Sequence, residues 1–376
     1  MAIKYYYIDD DPLSTIQETA KGLSVNPENL EIIPFQHKKW EEIIEFLSVN
    51  QTNYDGLLID WGLNRKNTDG DIAGFDVEAL TQQLRRLSVD RKLKDFPIIL
   101  CSAQFNFSKT YDKLLSSHDL FDVIYEKDFF HENRINVINE MVDLAKSYKV
   151  VNEIIIQEDT ETILKSLLKI DDLAHVDYRV VEYLTSFVNE KKPVHEISRF
   201  ILTKIIRPSG LLIDKYLLAS RLGIDISNVD DPEIIKLLGI LNCCSYEGVF
   251  SSYFDRWWME LLSEWWNENF DLPLGSLSAS ERVERINKNF TLSLKPAEKL
   301  QESKSDYFWT ICKVLHTPIA LADGILAIVP IDQSPWEEDE YYSISAALEL
   351  ETSKVHPLER ERLKKLKDLY TKVRKR

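Results

Sequence analysis

Short apolar runs alternate with amphipathic stretches through the first 147 residues of this chain. The apolar runs have the length and composition of strands, and the stretches between them carry apolar residues at helical spacing. The predicted strands are 3–8, 30–35, 54–59, 97–101 and 121–125, and the predicted helices are 13–23, 38–49, 75–88, 108–117 and 131–147. Strict alternation favours βαβ units. We therefore predict an α/β doubly wound fold, with five parallel strands covered by helices on both faces.

The chain has 376 residues, which is too many for one compact core, so two or three domains are expected. A hydrophobic share of 44% with 11% aromatic residues is typical of a folded protein. No apolar run approaches the length of a membrane span, and the chain enters a strand at once without a leader segment. The four cysteines show no metal-binding spacing. We expect a cytoplasmic protein without membrane insertion.

Beyond residue 160 the pattern is helical almost throughout. Helices are predicted at 160–170, 177–190, 194–206, 210–222, 232–241 and 248–268, and strands are plausible at 290–294 and 324–331. The predicted organisation is a domain at 1–147, a helical linker at 148–160, an acidic, mainly α-helical region at 161–353 and a basic C-terminal helix at 354–376. Helical spacing continues past residue 147, which is compatible with a rigid connector or with a helix and a short linker.

The net charge of −16 is unevenly distributed. Residues 1–150 carry 17 Lys/Arg and 25 Asp/Glu, and residues 151–353 carry 19 and 34. Residues 354–376 reverse the balance, with 10 basic and 3 acidic residues. Because an acidic surface repels a phosphate backbone, nucleic-acid binding is disfavoured, and only the tail could attract a polyanion.

Polar residues follow four of the predicted strands. Asp9-Asp10-Asp11 ends the first, Asp60 ends the third, Ser102 ends the fourth and Lys127 follows the fifth. The carboxyl ends of strands in an open α/β sheet converge on one crevice, where ligands bind. Carboxylates, a hydroxyl and an ammonium would then meet in a group that suits a divalent cation and a phosphoryl group.

In this order the residues resemble the receiver domain of two-component response regulators. The match covers Asp9 and Asp10, the run Asp60-Trp61-Gly62-Leu63, the pair Ser102-Ala103, and Lys127, within about residues 1–147. The resemblance implies that Asp60 is the nucleophile and accepts the phosphoryl group as an acyl phosphate. Mg²⁺ would be held by Asp9, Asp10, Asp60 and the backbone carbonyl of Gly62.

The remaining roles also come from the resemblance. Lys127 would pair with one phosphoryl oxygen and Ser102 would donate a hydrogen bond to another. A sensor histidine kinase or phosphotransfer protein would supply the phosphoryl group. The helical region is not recognised as a known family; its acidity, aromatic content and lack of a catalytic constellation favour contacts with a protein partner of unknown identity, and homodimer formation is left open. Apart from assisting its own phosphorylation and dephosphorylation, the chain is not expected to be an enzyme, although an output region that is an enzyme of unfamiliar type is left open as a third alternative.

Two positions depart from the usual receiver pattern. Receivers place an aromatic residue three positions before the lysine, where this chain has Ile124, with Tyr125 on the opposite strand face. The lysine is normally followed by proline, whereas Asp128 follows Lys127. A readout based on rotation of a tyrosine is therefore not expected at position 124. A receiver that no longer accepts phosphate is a separate alternative.

A haloacid-dehalogenase-like phosphatase is a further alternative for the site. It also uses an aspartate after the first strand, followed by a hydroxyl residue and a lysine after later strands. Its Asp-x-Asp motif continues with x-Thr or x-Val, whereas Pro12-Leu13 follows the three aspartates here. Asp60 would also have no role in such an enzyme.

The second region contains one segment that resembles the first part of a helix-turn-helix, residues 217–224 within 211–229. A DNA-reading helix would need basic and amide side chains, but residues 225–232 are acidic and end in proline. A transcription regulator that uses 211–229 and the basic tail remains an alternative to a protein-interaction region. In the stretch 250–270, core packing of one apolar helical face is the default, and Trp257 and Trp266, which lie off that face, are the candidates for exposed interaction residues.

Overall fold

The computed structural model describes residues 2–24, 29–63, 70, 72–102, 120–157 and 159–374. The chain divides into two compact units. The first comprises Met1–Asp171, Arg179–Leu202 and Glu247–Tyr253, and the second comprises Asp172–Tyr178, Thr203–Tyr246 and Phe254–Arg376. The N-terminal part thus extends to Asp171 and packs with two further segments from later in the chain. The domain boundaries drawn from the sequence stay a prediction.

A five-stranded sheet forms the centre of the first unit. Its strands are β1 (Ile3–Asp9), β2 (Leu30–Gln36), β3 (Gly56–Asp60), β4 (Ile98–Ser102) and β5 (Val123–Glu126). They pair in the order β2-β1-β3-β4-β5, and every pairing is parallel. This is the flavodoxin-like doubly wound order. The predicted fold class is confirmed.

Helices flank the sheet along the chain. The described ones of this part are α1 (Leu13–Leu23), α2 (Trp40–Val49), α3 (Val77–Val89), α4 (Lys127–Glu132), α5 (Arg134–Ile154), α6 (Thr160–Leu168), α7 (Tyr178–Asn189) and α8 (Val194–Phe200). The predicted helix 108–117 lies outside the described residues. Helix α5 is continuous past residue 147 to Ile154, so the extended helical spacing belongs to one helix.

The two faces of the sheet bury different side chains because neighbouring residues of a strand point in opposite directions. One face packs on α2 and α3 through alternate strand residues that include Tyr6, Ile8, Leu57, Ile59, Ile98 and Leu100. The other face meets α5, where the Tyr5 hydroxyl donates to the carbonyl of Met141 at 2.8 Å. Helices therefore cover both faces, as the strand pattern predicts.

A buried ionic network lies at the edge where β4 begins. Arg85 of α3 donates to Asp122 at 2.8 Å and to Asp95 at 3.2 Å. The Asp122 carboxylate also accepts the hydroxyl of Tyr148 from α5. Asp95 accepts the backbone N–H of His195 at 2.7 Å, and the His195 ring lies at the same distance. This network connects α3, α5 and α8 to the sheet within the first unit.

The second unit combines helices with short antiparallel strand pairs. Its strands are β6 (Leu212–Ile213), β7 (Trp257–Trp258), β8 (Thr310–Ile311), β9 (Pro318–Ile319), β10 (Ile325–Leu326) and β11 (Tyr341–Tyr342). Its helices are α9 (Lys215–Leu222), α10 (Pro232–Ile240), α11 (Met259–Asn269), α12 (Ala279–Phe290), α13 (Ile344–Glu349) and α14 (Arg360–Arg374).

Several sequence-based assignments in this unit are wrong. The segment predicted as a helix at 248–268 begins with turns and the β7 strand, and its helix starts at Met259. The segment predicted as a strand at 290–294 begins with Phe290, the last residue of α12, and contains no strand. The helix predicted at 210–222 begins only at Lys215, because Leu212 and Ile213 form β6 and pair with β7. Local apolar spacing did not reveal these short pairings because they join residues distant in sequence.

The expectation that Trp257 and Trp266 are exposed is also wrong. Trp257 is 8% exposed because it lies in β7, where it pairs with Ile213. Trp266 is fully buried, and its indole N–H donates to the carbonyl of Leu272 at 2.8 Å. Both rings belong to the main apolar core of the second unit. Trp257 lies before the helix begins, whereas Trp266 lies in α11 and is buried together with its neighbour Trp265.

The segment that resembles a helix-turn-helix has only its first helix. Helix α9 ends at Gly223, which has a left-handed φ of 74°. Residues 225–231 contain no helix, and α10 then starts after the N-cap Asp231.

The C-terminal helix α14 buries Leu363 in a small apolar cluster, and Arg362 donates to the carbonyl of Gly324 at 2.9 Å. No helix in the described part of the chain is both long and apolar enough to cross a bilayer.

Candidate functional site

Three carboxylates meet where β1 and β3 end. Asp9 is the last residue of β1, Asp10 follows it, and Asp60 is the last residue of β3. Because β1 and β3 are neighbouring parallel strands, their carboxyl ends lie side by side. The side chains are buried, and one oxygen of each lies within 4.8 Å of an oxygen of the other two. The structure therefore brings together the three aspartates that the sequence singled out as metal ligands.

Lys127 approaches this cluster from the end of β5. Its Nζ lies 2.8 Å from Oδ1 of Asp60 and 3.0 Å from Oδ2 of Asp9. Asp11 is also near, with its Oδ2 3.7 Å from the same nitrogen. One ammonium thus faces carboxylates from two strand ends. It is the first residue of α4, so the turn from strand to helix directs it into the crevice.

Hydrogen bonds hold the carboxylates in position. The backbone N–H of Asp11 donates to Oδ1 of Asp9 at 2.8 Å, and the backbone N–H of Gly62 donates to Oδ2 of Asp60 at 2.9 Å. The Tyr7 hydroxyl also donates to Oδ2 of Asp9. Tyr7 was not singled out from the sequence. It lies two residues before Asp9 on one strand, so both side chains point to the same face. This alternation along the strand is the sequence feature from which the contact could have been predicted.

The electrostatics of the site favour an added cation. Burial, together with the nearby Asp9 carboxylate, raises the pKa of Asp60 to about 6, although Lys127 opposes the shift. Burial lowers the pKa of Lys127, but the Asp60 and Asp9 carboxylates outweigh it, and the net shift is upward. Three clustered carboxylates lie around the Lys127 ammonium, so a bound cation would offset the remaining negative charge.

The donor set fits Mg²⁺. Magnesium prefers oxygen ligands and is usually bound by a few carboxylates together with water. Asp9, Asp10 and Asp60 offer three such oxygens, and Lys127 forms ion pairs with Asp9 and Asp60. These aspartates would hold the ion. The N–H of Gly62 donates to Asp60, so Gly62 lies beside the cluster. That its carbonyl binds the metal stays a prediction.

Ser102 is the last residue of β4 and is 1% exposed. The ends of β3 and β4 are adjacent, since Asp60 pairs in register with Cys101 and the N–H of Trp61 donates to the Cys101 carbonyl at 3.0 Å. The next residue, Ala103, lies outside the described residues, as do positions 64–69 and 71 of the loop after Asp60. Ser102 is thus at the carboxyl edge of the sheet, and its contact with a phosphoryl group stays a prediction.

The aromatic residue of β5, Tyr125, contacts helices α5 and α4. Tyr125 is buried, and its hydroxyl donates to Oε2 of Glu140 in α5 at 2.6 Å. Its ring stacks on Phe129 with centroids 5.9 Å apart. Ile124 points to the opposite face and packs on the apolar core there. The two residues therefore occupy opposite faces of the strand, as their positions in the sequence indicate.

Comparison with known proteins gives limited similarity. No protein-family model matches the chain, and no curated protein matches it. One similar solved structure is a response regulator receiver domain protein from Clostridium thermocellum, with 14% identity and a TM-score of 0.27, covering 38% of this chain and 97% of that one. Another is an adenylate cyclase from Rhodopirellula baltica, with 9% identity and a TM-score of 0.30, covering 42% of this chain and all of that one.

At these scores the similarities carry no argument about function. The fold assignment depends on the strand order, the parallel pairings and the flanking helices of this chain itself. The five-stranded parallel sheet fits a receiver domain, and the aspartate cluster lies at the edge of the sheet where such a fold binds its ligands.

Proposed function

We propose that this protein is a response regulator whose phosphoacceptor is Asp60. One observation carries the proposal: the Asp60 carboxylate lies between a lysine ammonium at 2.8 Å and the carboxylates of Asp9 and Asp10. A nucleophilic carboxylate needs its own charge and that of the incoming phosphoryl group compensated nearby. The cluster offers an ammonium and a set of metal ligands at the same point.

The reaction would join one Asp60 oxygen to phosphorus. With a phosphohistidine donor, the P–N bond breaks and its electron pair stays on the imidazole nitrogen, while the aspartyl phosphate forms. Gly62 donates its N–H to Asp60 Oδ2, which orients the carboxylate and leaves Oδ1 on the side of Lys127. The acceptor is therefore positioned by the chain before a donor arrives.

Charge compensation would come from two sources. Mg²⁺, when bound by Asp9, Asp10 and Asp60, supplies Lewis-acid stabilisation of the charge on the phosphoryl oxygens. Lys127 would move from its carboxylate partners to a phosphoryl oxygen, and Ser102 would donate a hydrogen bond to another. Asp9 stays oriented by the N–H of Asp11 and the hydroxyl of Tyr7.

The output would be a change in contacts with a protein partner. Phosphorylation shifts the populations of two arrangements of the site and its surrounding loops. Helix α5 is the element that could transmit such a shift, because it contacts the sheet through Tyr125–Glu140 and Tyr5–Met141. A sensor kinase or phosphotransfer protein would act upstream. The second unit, acidic and without a catalytic cluster recognised in its sequence, suits an interaction role.

The contact between Lys127 and Asp60 favours this proposal over a haloacid-dehalogenase-like phosphatase. In the phosphatase, the aspartate after the first strand would be the nucleophile and Asp60 would have no role. Here Asp60 makes the shortest contact with Lys127 and supplies one of the three clustered carboxylates. Burial raises the pKa of Asp60 to about 6.

The test is the intact mass of the full chain after incubation with acetyl phosphate and Mg²⁺. Wild type should gain one phosphoryl group, and Asp60→Asn should gain none. EDTA should prevent the gain in wild type. A mass gain that persists in Asp60→Asn would contradict the assignment and point to Asp9 as nucleophile.

The alternative output, DNA binding, predicts retention on heparin and salt-sensitive binding to duplex DNA. An interaction region predicts neither. Removal of residues 360–374 should leave the behaviour on heparin unchanged if the basic helix is structural, since Leu363 is buried in an apolar cluster.

A further inference from the structure

A large cavity within the first unit has a positively charged lining although the chain as a whole is acidic. Its volume is about 970 Å³, and all of its described lining residues belong to the first unit. Five cations line it, namely Arg91, Lys92, Lys94, Lys191 and Lys192. The lining carboxylate, Asp95, is engaged by Arg85 and His195. Although the net charge of the protein is −16, this local concentration of positive charge favours the binding of an anion.

Two helix ends supply four of these cations. Arg91 follows the end of α3 and has a left-handed backbone conformation with φ 57°. Lys191 follows the end of α7 in the same way and has φ 54°. Each end is closed by backbone hydrogen bonds, Lys92 N to Leu87 O and Lys192 N to Phe187 O, both at 2.9 Å. This motif normally has glycine at the left-handed position, because a side chain is strained there. Both positions instead carry a long basic side chain.

These two basic side chains are available to a ligand. Within the described part of the chain, neither Arg91 nor Lys191 forms an ion pair or a side-chain hydrogen bond. Their neighbours are partly engaged, since Lys92 lies 3.5 Å from Asp90 and Lys192 lies 3.3 Å from Glu196. Lys94 is half-buried, and burial lowers its pKa, so a bound anion would stabilise its charged form.

The rest of the lining is apolar or carries amides. The apolar side chains of the lining that keep exposed surface include Val89, Ile155, Phe187 and Val188, and they form the apolar wall of the cavity. Amide groups are contributed by Gln51, Asn152, Gln157 and Asn189. An apolar wall with a few amides suits a flat ring that has polar edges, and the volume is in the range of small-molecule sites, about 300–1,000 Å³.

We propose that this cavity binds a nucleotide-type ligand, with its linked phosphates at Arg91 and Lys191 and its ring against the apolar wall. In this proposal, the basic side chains of Arg91 and Lys191 bind the phosphates and do not stabilise the helix ends. The site is separate from the Asp60 cluster, so ligand binding does not require phosphorylation.

Lys169 provides a matched comparison inside the same unit. It is also a basic residue in the left-handed region, at φ 51°, and it closes α6 in the same way. It does not line the cavity. If these basic side chains only offset the negative end of a helix dipole, replacing any of the three should have the same effect on ligand binding.

The experiment is isothermal titration calorimetry of the full chain with ATP, tripolyphosphate and adenosine, in low salt with EDTA so that the Asp60 cluster holds no metal. Arg91→Gly, Lys191→Gly and Lys169→Gly each remove one charge and relieve one strained φ. We expect ATP to bind wild type, and each of the first two variants to weaken binding about tenfold or more, the loss of one charge-assisted contact. Lys169→Gly should change the affinity less than twofold.

Melting temperatures separate the ligand role from a structural one. All three glycine variants should melt at or above the wild-type temperature, because glycine fits the left-handed position. Hydrogen exchange should slow in 87–95 and 187–197 when ATP is added. Absence of ATP binding at millimolar concentration would overturn the proposal, as would an equal loss in Lys169→Gly. Equal affinities for ATP and tripolyphosphate would overturn the assignment of the ring to the apolar wall.

Discussion

Lys127 holds its ammonium 2.8 Å from the carboxylate of Asp60, a residue 67 positions earlier that ends a different strand. The same nitrogen is 3.0 Å from Asp9. The lysine therefore bridges two strand ends, which places a mobile positive charge at the point where an aspartyl phosphate would form. Its side chain is 31% exposed, so it can exchange these partners for a phosphoryl oxygen without unfolding its surroundings.

Replacing Lys127 should slow the phosphorylation of Asp60. Lys127→Ala removes the ammonium that pairs with Asp60 and Asp9, and we expect the rate with acetyl phosphate to fall about 10²-fold, as for the loss of one charge-stabilising donor. The rate is measured by intact mass over time. Lys149→Ala, which removes a surface lysine paired with Asp55, is the control and should react at the wild-type rate. Equal rates in both variants would argue against a role for Lys127.

The ionised form of Asp60 should destabilise the folded protein in the absence of metal. Its pKa is about 6 in the fold against an ordinary 3.8, so the folded state binds the proton more tightly than the unfolded state. The associated stability is present below pH 3.8 and is lost as the pH rises through about 6. Asp60→Asn should therefore raise the free energy of unfolding at pH 8 by up to about 3 kcal/mol.

The same substitution should have a smaller effect at pH 5, where wild-type Asp60 is largely protonated. The comparison uses urea denaturation in EDTA at the two pH values, with Asp90→Asn as an exposed control. A gain of equal size at both pH values would mean that Asp60 is not the titrating group.

Magnesium should stabilise the protein through the aspartate cluster. A ligand that binds only the folded state adds about 2.7 kcal/mol of stability at 100 times its dissociation constant. Melting curves with MgCl₂ and with NaCl at matched ionic strength should therefore separate for wild type. Asp10→Asn removes one of the three clustered carboxylates and should abolish most of this separation. If the variant responded to Mg²⁺ as wild type does, the ion would bind elsewhere.

Loss of Arg85 should strongly destabilise the first unit. The Arg85 guanidinium pairs with the buried carboxylates of Asp122 and Asp95, so Arg85→Met leaves both without this cation. Breaking a buried ion pair in this way destabilises by about 3–5 kcal/mol. The neighbouring Arg86 is exposed, and Arg86→Met should have little effect. Urea denaturation of the two variants gives the comparison, and similar midpoints would exclude an important role for the network.

Two glycines of the second unit should respond to alanine in opposite directions. Gly223 has φ 74°, and a Cβ there would lie 2.6 Å from Cα of Ala279, so Gly223→Ala should destabilise by about 1–3 kcal/mol. Gly239 lies in α10 with nothing within 4 Å of its Cβ position. Gly239→Ala should stabilise by about 0.5–1 kcal/mol. Thermal denaturation measures both, and equal effects would contradict the steric account.

The first 147 residues were the part that the sequence predicted well. Strands β1 to β5 begin and end within two residues of the predicted limits, because buried parallel strands are continuous apolar runs that end abruptly in polar residues. The cluster of Asp9, Asp10, Asp60 and Lys127 could be anticipated for the same reason. Each of these residues directly follows or ends a strand, and the carboxyl ends of parallel strands share one edge.

The second unit was predicted less well because its strands are only two residues long. The pairing of Leu212 with Trp258 joins segments that are 46 residues apart, and nothing in either segment has a strand period. Trp257 therefore read as an exposed helical residue although it is buried in a strand. Contacts between distant segments override local propensity in such cases.

The sequence by itself determined the α/β fold of the N-terminal part and which residues would meet at its edge, because period and strand-end position are local properties. Only the tertiary structure decided that Tyr7 bonds to Asp9, that Arg85 joins Asp122 to Asp95, and that Arg91 and Lys191 line one cavity. These relationships depend on the register and packing of elements distant along the chain. No local pattern encodes that packing, since it is the outcome of many long-range contacts formed together.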